Sequence, residues 1–121
     1  MYNLYQYEFL KPDSKTLGYA YDMQGQKVGS TLNGRVYDFN GHYVGELVNE
    51  RVYDANGSRV GRVINSHLYD AEHQKVGYLG SNGYAYDKSG EEIGKVWLAS
   101  PNRMMGAATA MLLLFDKMRE R

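Results

Sequence analysis

The sequence contains no cysteine, only 2 prolines, 1 tryptophan and no net charge, since 14 Lys and Arg balance 14 Asp and Glu. Without cysteine there is no disulfide framework, no thiolate nucleophile and none of the usual thiolate zinc sites. A zero charge balance argues against a nucleic-acid partner held by counterion release, because such proteins are usually basic. The longest apolar stretch, Met104 to Phe115, falls short of the roughly 20 residues of a membrane-spanning helix. The opening residues MYNLYQYEFLKPD lack the charged-then-apolar pattern of a secretory signal, so a cytoplasmic product is expected. A length of 121 residues suits one domain around a single core.

What the sequence has in excess is 14 Gly and 12 Tyr, a composition of strands and tight turns. Much of it is periodic. The pair Tyr-Asp occurs at Tyr21-Asp22, Tyr37-Asp38, Tyr53-Asp54, Tyr69-Asp70 and Tyr86-Asp87, spaced 16, 16, 16 and 17 residues apart. A second glycine keeps step after Val or Ile at Gly29, Gly45, Gly61, Gly77 and Gly94, and Gly25, Gly41, Gly57 and Gly90 follow three residues after their Asp. His73 replaces that turn glycine in the fourth unit, a residue tolerant of positive φ. The consensus is apolar-Tyr-Asp-x-x-Gly-x-x-Val-Gly.

A unit of 16 residues is too short for a helical repeat and fits a two-stranded hairpin with its connection. In the third unit, Asp54-Ala55-Asn56-Gly57 reads as a type I turn. Its Asp is placed to accept backbone N–H groups, and its Gly supplies the left-handed position. Asn65-Ser66 then reverses the chain again. Pairing Asp54 with Ser58 places Tyr53 opposite Arg59 and Val52 opposite Val60. The repeated glycines Gly29, Gly45, Gly61, Gly77 and Gly94 read as bends, with a tyrosine ring laid over the bare backbone.

The expected fold is mostly β: a closed, pseudo-fivefold ring of hairpins, because an open row would leave two unprotected edges. Residues 1–17 form an N-terminal strand and turn, 18–98 the five repeats and 99–121 a C-terminal helix, all in one domain. Tyr2 to Phe9 is expected to pair with the last hairpin and close the ring, with Lys11-Pro12-Asp13-Ser14 as a connecting turn. Ser100 as N-cap and Pro101 as first helical residue would start the helix. From Met104 to Phe115 only Gly106 and Thr109 are not apolar, and Met104, Ala108, Met111, Leu112, Phe115 and Met118 share a face at helical spacing. Such a helix either lies across an open end of the ring as part of the core or pairs with copies of itself.

The five units from Gly18 to Leu98 resemble the repeats of small bacterial proteins called five-fold β-flower proteins. The resemblance implies a ring of five hairpins and carries no assigned activity or site residues. Tyrosine–aspartate repeats of secreted toxin shells and choline-type cell-wall-binding repeats are less similar.

Nothing in the sequence argues for an enzyme. Each repeated aspartate, Asp22, Asp38, Asp54, Asp70 and Asp87, sits where a turn needs an acceptor for its own backbone. Asp38-Phe39-Asn40-Gly41 lacks the closing glutamate of a calcium loop. His42, His67 and His73 occupy non-equivalent positions without metal-ligand spacing, so no metal or other cofactor is expected. Tyr21, Tyr37, Tyr53, Tyr69 and Tyr86 read as structural. Tyr19, Tyr43, Tyr78 and Tyr84 depart from the consensus and form the candidate binding surface. The resulting expectation is a non-enzymatic structural or protein-interaction module, self-associating through its helix. The alternative is a module that binds a small ligand or carbohydrate through its tyrosines.

Overall fold

The computed structural model describes residues 17–99 and 102–115. Ten strands follow one another: β1 Leu17–Tyr21, β2 Lys27–Leu32, β3 Arg35–Asp38, β4 Tyr43–Val48, β5 Arg51–Asp54, β6 Arg59–Ile64, β7 His67–Asp70, β8 Lys75–Leu79, β9 Tyr84–Asp87 and β10 Glu92–Leu98. A helix, α1 Arg103–Leu114, follows them. Each strand pairs antiparallel with its sequence neighbours, and β1 pairs with β10, so the sheet closes into a barrel of five hairpins. The seam is made by Gly18 opposite Leu98 through Tyr21 opposite Lys95. Closure therefore uses β1 itself, not Tyr2 to Phe9, which lies outside the described residues along with the connecting turn at Lys11 to Ser14.

The Asp-x-x-Gly turns are built alike. In each of the five, one aspartate Oδ1 accepts the backbone N–H groups two and four residues on, at 2.9–3.0 Å. The residue three after the Asp has positive φ, glycine in four turns and His73 (φ 69°) in the fourth. At the other end of the barrel, Asn33-Gly34 and Asn65-Ser66 carry positive φ at both central positions, the conformation that matches strand twist. Carbonyls of these outer turns hold the next hairpin: Leu47 N–H donates to Gly34, Val63 to Glu50, Leu79 to Ser66 and Val96 to Gly83. The spacing of 17 arises here, because Gly80 to Gly83 forms a longer turn whose Asn82 side chain accepts from Tyr84.

Beyond each Asp turn the register slips. Tyr53 lies opposite Arg59 as expected, but Val52 lies opposite Gly61 rather than Val60. The other hairpins slip at the same place. The extra residue forms a bulge, and Val60 is buried together with its glycine neighbour while Val28, Val44, Val76 and Ile93 pack against the core. Where each repeated glycine would carry a Cβ, the nearest atoms are a tyrosine backbone carbonyl and a side chain of the helix. A Cβ on Gly45 would run into the Tyr53 carbonyl and lie 2.9 Å from a Leu112 methyl.

That methyl belongs to α1, which threads the barrel rather than lying across its end. Met105, Ala107, Ala108, Thr109, Ala110 and Met111 are all fully buried, and Ala20, Val36, Val52, Leu68 and Ala85 line the wall around them. Five consecutive residues fill the five glycine notches in order: Met111 at Gly61, Leu112 at Gly45, Leu113 at Gly29, Leu114 at Gly94 and Phe115 at Gly77. Successive helical residues point about 100° apart, whereas neighbouring hairpins of a fivefold ring stand about 72° apart. The last notch is filled by Phe115, whose φ of −101° and ψ of 96° have already left the helical path. Toward the outer turns the fit inverts. Small residues of α1 meet large wall side chains, as where the missing Cβ of Gly106 would sit 2.9 Å from Leu79.

The helix is capped by Asn102, whose Oδ1 accepts from Met105 N–H at 2.9 Å; Ser100 and Pro101, expected to start it, lie outside the described residues. Inside, Thr109 donates to the Met105 carbonyl at 2.7 Å, so its hydroxyl is satisfied within the helix. Among the described residues no helix is long and apolar enough to cross a membrane.

The two kinds of glycine should respond differently to alanine. Gly45→Ala forces a side chain against backbone and Leu112 and is expected to lower unfolding free energy by about 3 kcal/mol. Gly57→Ala, in open space at φ +87°, should cost only about 1 kcal/mol for its left-handed backbone. Denaturant unfolding of both variants decides the matter, and equal losses would contradict the notch.

Candidate functional site

With the lumen filled, chemistry or recognition must take place on the outer wall or at the two ends. The repeated tyrosines Tyr21, Tyr37, Tyr53, Tyr69 and Tyr86 are half-buried on the outer wall. Their cross-strand neighbours are cationic, acidic or aromatic: Lys27 beside Tyr21, Tyr43 beside Tyr37, Arg59 beside Tyr53, Lys75 beside Tyr69 and Glu92 beside Tyr86. The Tyr carbonyls of the same residues close against the wall glycines.

The four candidate tyrosines divide into two places. Tyr78, Tyr84 and Tyr19 lie on β8, β9 and β1, with β10 and its Trp97 between the last two. Trp97, 48% exposed, stacks on Tyr19 with ring centroids 6.0 Å apart and planes 12° from parallel. Tyr78 stacks on Tyr86 at 4.9 Å and tilts against His67 at 6.0 Å. Lysines face these rings: Lys27 over Tyr19, Lys75 over Tyr78 and Lys95 over Tyr84, at 4.6 to 5.4 Å. A shallow cleft of about 450 Å³ between Tyr21, Met23, Tyr84, Lys95 and Trp97 runs along this strip.

Tyr43 stands apart, tilted against Tyr37 at 6.1 Å, at a second and larger concavity. At the aspartate-turn end, turn and strand residues of the first three hairpins and the end of α1 border an open mouth of about 1010 Å³. Its floor is Leu112 and Leu113, its walls include Val28 and Val44, and its rim carries Asp38, Asp54, Asn40 and Asn56. Phe39, on that rim, is 70% exposed, and Met23 on the neighbouring turn is 51% exposed. Sequence reasoning passed over both. The available signal was the residue following each turn aspartate, which is Met23, Phe39, Ala55, Ala71 and Lys88 in order, two large apolar groups at a position that elsewhere is small or charged.

The five aspartates stay at separate turns, each occupied with its own backbone. Among the described residues no group of His, Asp and Glu is arranged to hold a metal ion. The Asp38 carboxyl is held below the ordinary aspartate value, first by the His42 backbone N–H, then, against opposing desolvation, by the Asn40 N–H and the nearby His42 ring. Asp87 is lowered chiefly by the Ser89 hydroxyl, which donates at 2.6 Å, and then by the Glu91 N–H. Burial, followed by the charge of Glu46, raises the Tyr43 phenol.

A folded pKa below the unfolded one adds stability above the unfolded aspartate value of about 3.9 and loses it as the pH falls through the folded value. Acid unfolding, followed through the emission of Trp97, should therefore set in below about pH 4. Ser89→Ala removes the strongest donor to Asp87 and is expected to move that carboxyl's titration upward in carbon-detected NMR; an unchanged titration would show that the hydroxyl does not stabilise the anion.

Comparison with known families agrees with this architecture. The family model described as 5-fold beta-flower protein matches residues 10–116, a span containing all ten strands and the helix. Neither the curated proteins nor the solved structures yielded a match. With its repeat, its closed ring of hairpins and a family match over most of its length, the chain belongs to the 5-fold beta-flower family.

Proposed function

We propose that this chain is a non-enzymatic protein-interaction module, its barrel a rigid scaffold and its working surface the mouth at the aspartate-turn end. One observation carries the reading. The lumen, where a small barrel would hold a ligand, is filled by α1, while Phe39 stands in solvent on the rim of a concavity of about 1010 Å³. Large apolar groups at exposed turn tips do nothing for the hairpins, since Ala55, Ala71 and Lys88 serve equally well there. Clustered exposed apolar surface is what partner proteins bury. Self-association through α1 receives no support from its burial, because from Met105 to Leu113 the helix is buried within its own barrel.

A second reading, carbohydrate binding, is favoured by Trp97 and the neighbouring tyrosines Tyr19, Tyr84 and Tyr78 on the outer wall. Aromatic strips of this kind offer apolar faces with polar edges.

Selection from a displayed peptide library, run beside a glycan array, separates the two. Peptides enriched on the wild-type chain should bind Phe39→Ser at least about tenfold more weakly and Trp97→Ala unchanged. Both side chains are exposed enough that folding should hold within about 0.5 kcal/mol. Glycans lost with Trp97→Ala would establish the second reading instead. A chain that selects nothing in either screen is not a binding module of either kind.

A further inference from the structure

Charge is sorted along the barrel axis even though the chain carries none overall. The turns at the mouth end and the strand residues directly beside them hold the five aspartates with Glu72, Glu91 and Glu92, against Lys27, Arg59, Lys75 and Lys88. Toward the outer turns the order reverses: Arg35, Arg51, Arg62 and Lys95 outnumber Glu46 and Glu50. The mouth is thus an apolar floor inside an acidic rim. Turn bonding uses one oxygen of Asp38 and of Asp54; the other oxygen of Asp38 lies 3.6 Å from His42 Nδ1 in a side chain that remains 36% exposed. Lys27, the basic residue of the lining, holds its ammonium 4.6 Å from the Tyr19 ring on the outer wall.

Resting on the reading of the mouth as a docking surface, we propose that its occupant is a basic peptide segment of a partner protein. Apolar side chains of the segment seat on Leu112 and Leu113 beside Phe39, and its lysines or arginines face Asp38 and Asp54. The volume of about 1010 Å³ is at the upper end of the roughly 300–1,000 Å³ range of enclosed small-ligand sites, and it opens to solvent, as a chain segment requires. Acidic rims around apolar floors select cationic partners by steering and by excluding like charge.

Fluorescence anisotropy with the full chain tests this. Three labelled peptides serve as probes: leucine alternating with lysine and arginine, the same peptide with glutamate for every basic residue, and the basic peptide with serine for leucine. Only the first should bind, and its affinity should fall as salt is raised. The double variant Asp38→Asn, Asp54→Asn keeps an oxygen for the turn N–H groups and should weaken binding about tenfold. Where a thermal melt shows the double variant to be unfolded, the basic and acidic peptides on the wild-type chain decide by themselves.

Equal binding of the acidic peptide, or binding indifferent to the double variant in a folded protein, overturns the charge claim. Phe39→Ser judges the mouth separately, because it should weaken whichever peptide binds there. Light scattering that finds a dimer dissolved by Phe39→Asp would assign the mouth to a second copy and overturn the proposal. Hydrogen exchange that finds amides of Asp116 to Arg121 deprotected by the same variant would assign it to the chain's own end, with the same result.

Discussion

The structure depends on how closely a helix can approach the inner wall of a narrow barrel. Five glycines remove the side chains where the approach is tightest, and five consecutive residues of α1 take their place. Neither partner stands without the other. A ring of hairpins without the helix would enclose an apolar void, and a twelve-residue helix with apolar side chains on nearly every face would have nowhere to bury them. Complementary size along the axis, large helix side chains at the glycines and small ones opposite Leu79, Leu98 and Val96, also fixes how deeply the helix sits.

This arrangement divides the molecule between structure and recognition. Wall residues that point inward are committed to the helix, and the turn aspartates are committed to their own backbones. The side chains left over are those that break the repeat. Met23 and Phe39 break it at the turn tips, and Tyr19, Tyr78, Tyr84 and Trp97 break it on the outer wall. In a pseudosymmetric protein such departures carry information, because the repeat itself states what folding requires at each position. Departures cluster on two surfaces, the mouth and the strip from β8 to β1, and both are concave.

The sequence disclosed whatever depended on local chemistry. Asp54 and Gly57 announce their turn because the hydrogen bonds they serve lie within five residues. Regular recurrence of that turn implied five hairpins and, through the problem of free edges, a closed ring. Distances across the ring were not legible. The slip that sets Val52 against Gly61 leaves room for Met111, more than forty positions away along the chain. The helix was recognisable as buried from its composition, but whether it lay across the barrel or within it depended on a lumen wide enough to admit it. Asn102, not Ser100, caps it, its side-chain oxygen accepting from Met105 N–H. As for the mouth, Phe39 looked like any variable turn residue until the turn tip was seen to border an apolar concavity.

The helix follows all ten strands in chain order. During synthesis every hairpin therefore leaves the ribosome before the residues that will fill the space between them, and the seam from β1 to β10 joins the first described strand to the last. Individual hairpins can form early, since their contacts are local, but their inward faces have nothing to rest on until α1 arrives. Until α1 emerges, a nascent chain of this kind leaves the inward face of every completed hairpin uncovered. The step that ends this exposure is the late insertion of one short helix, and any delay in that step lengthens the interval in which neighbouring chains can pair edge to edge.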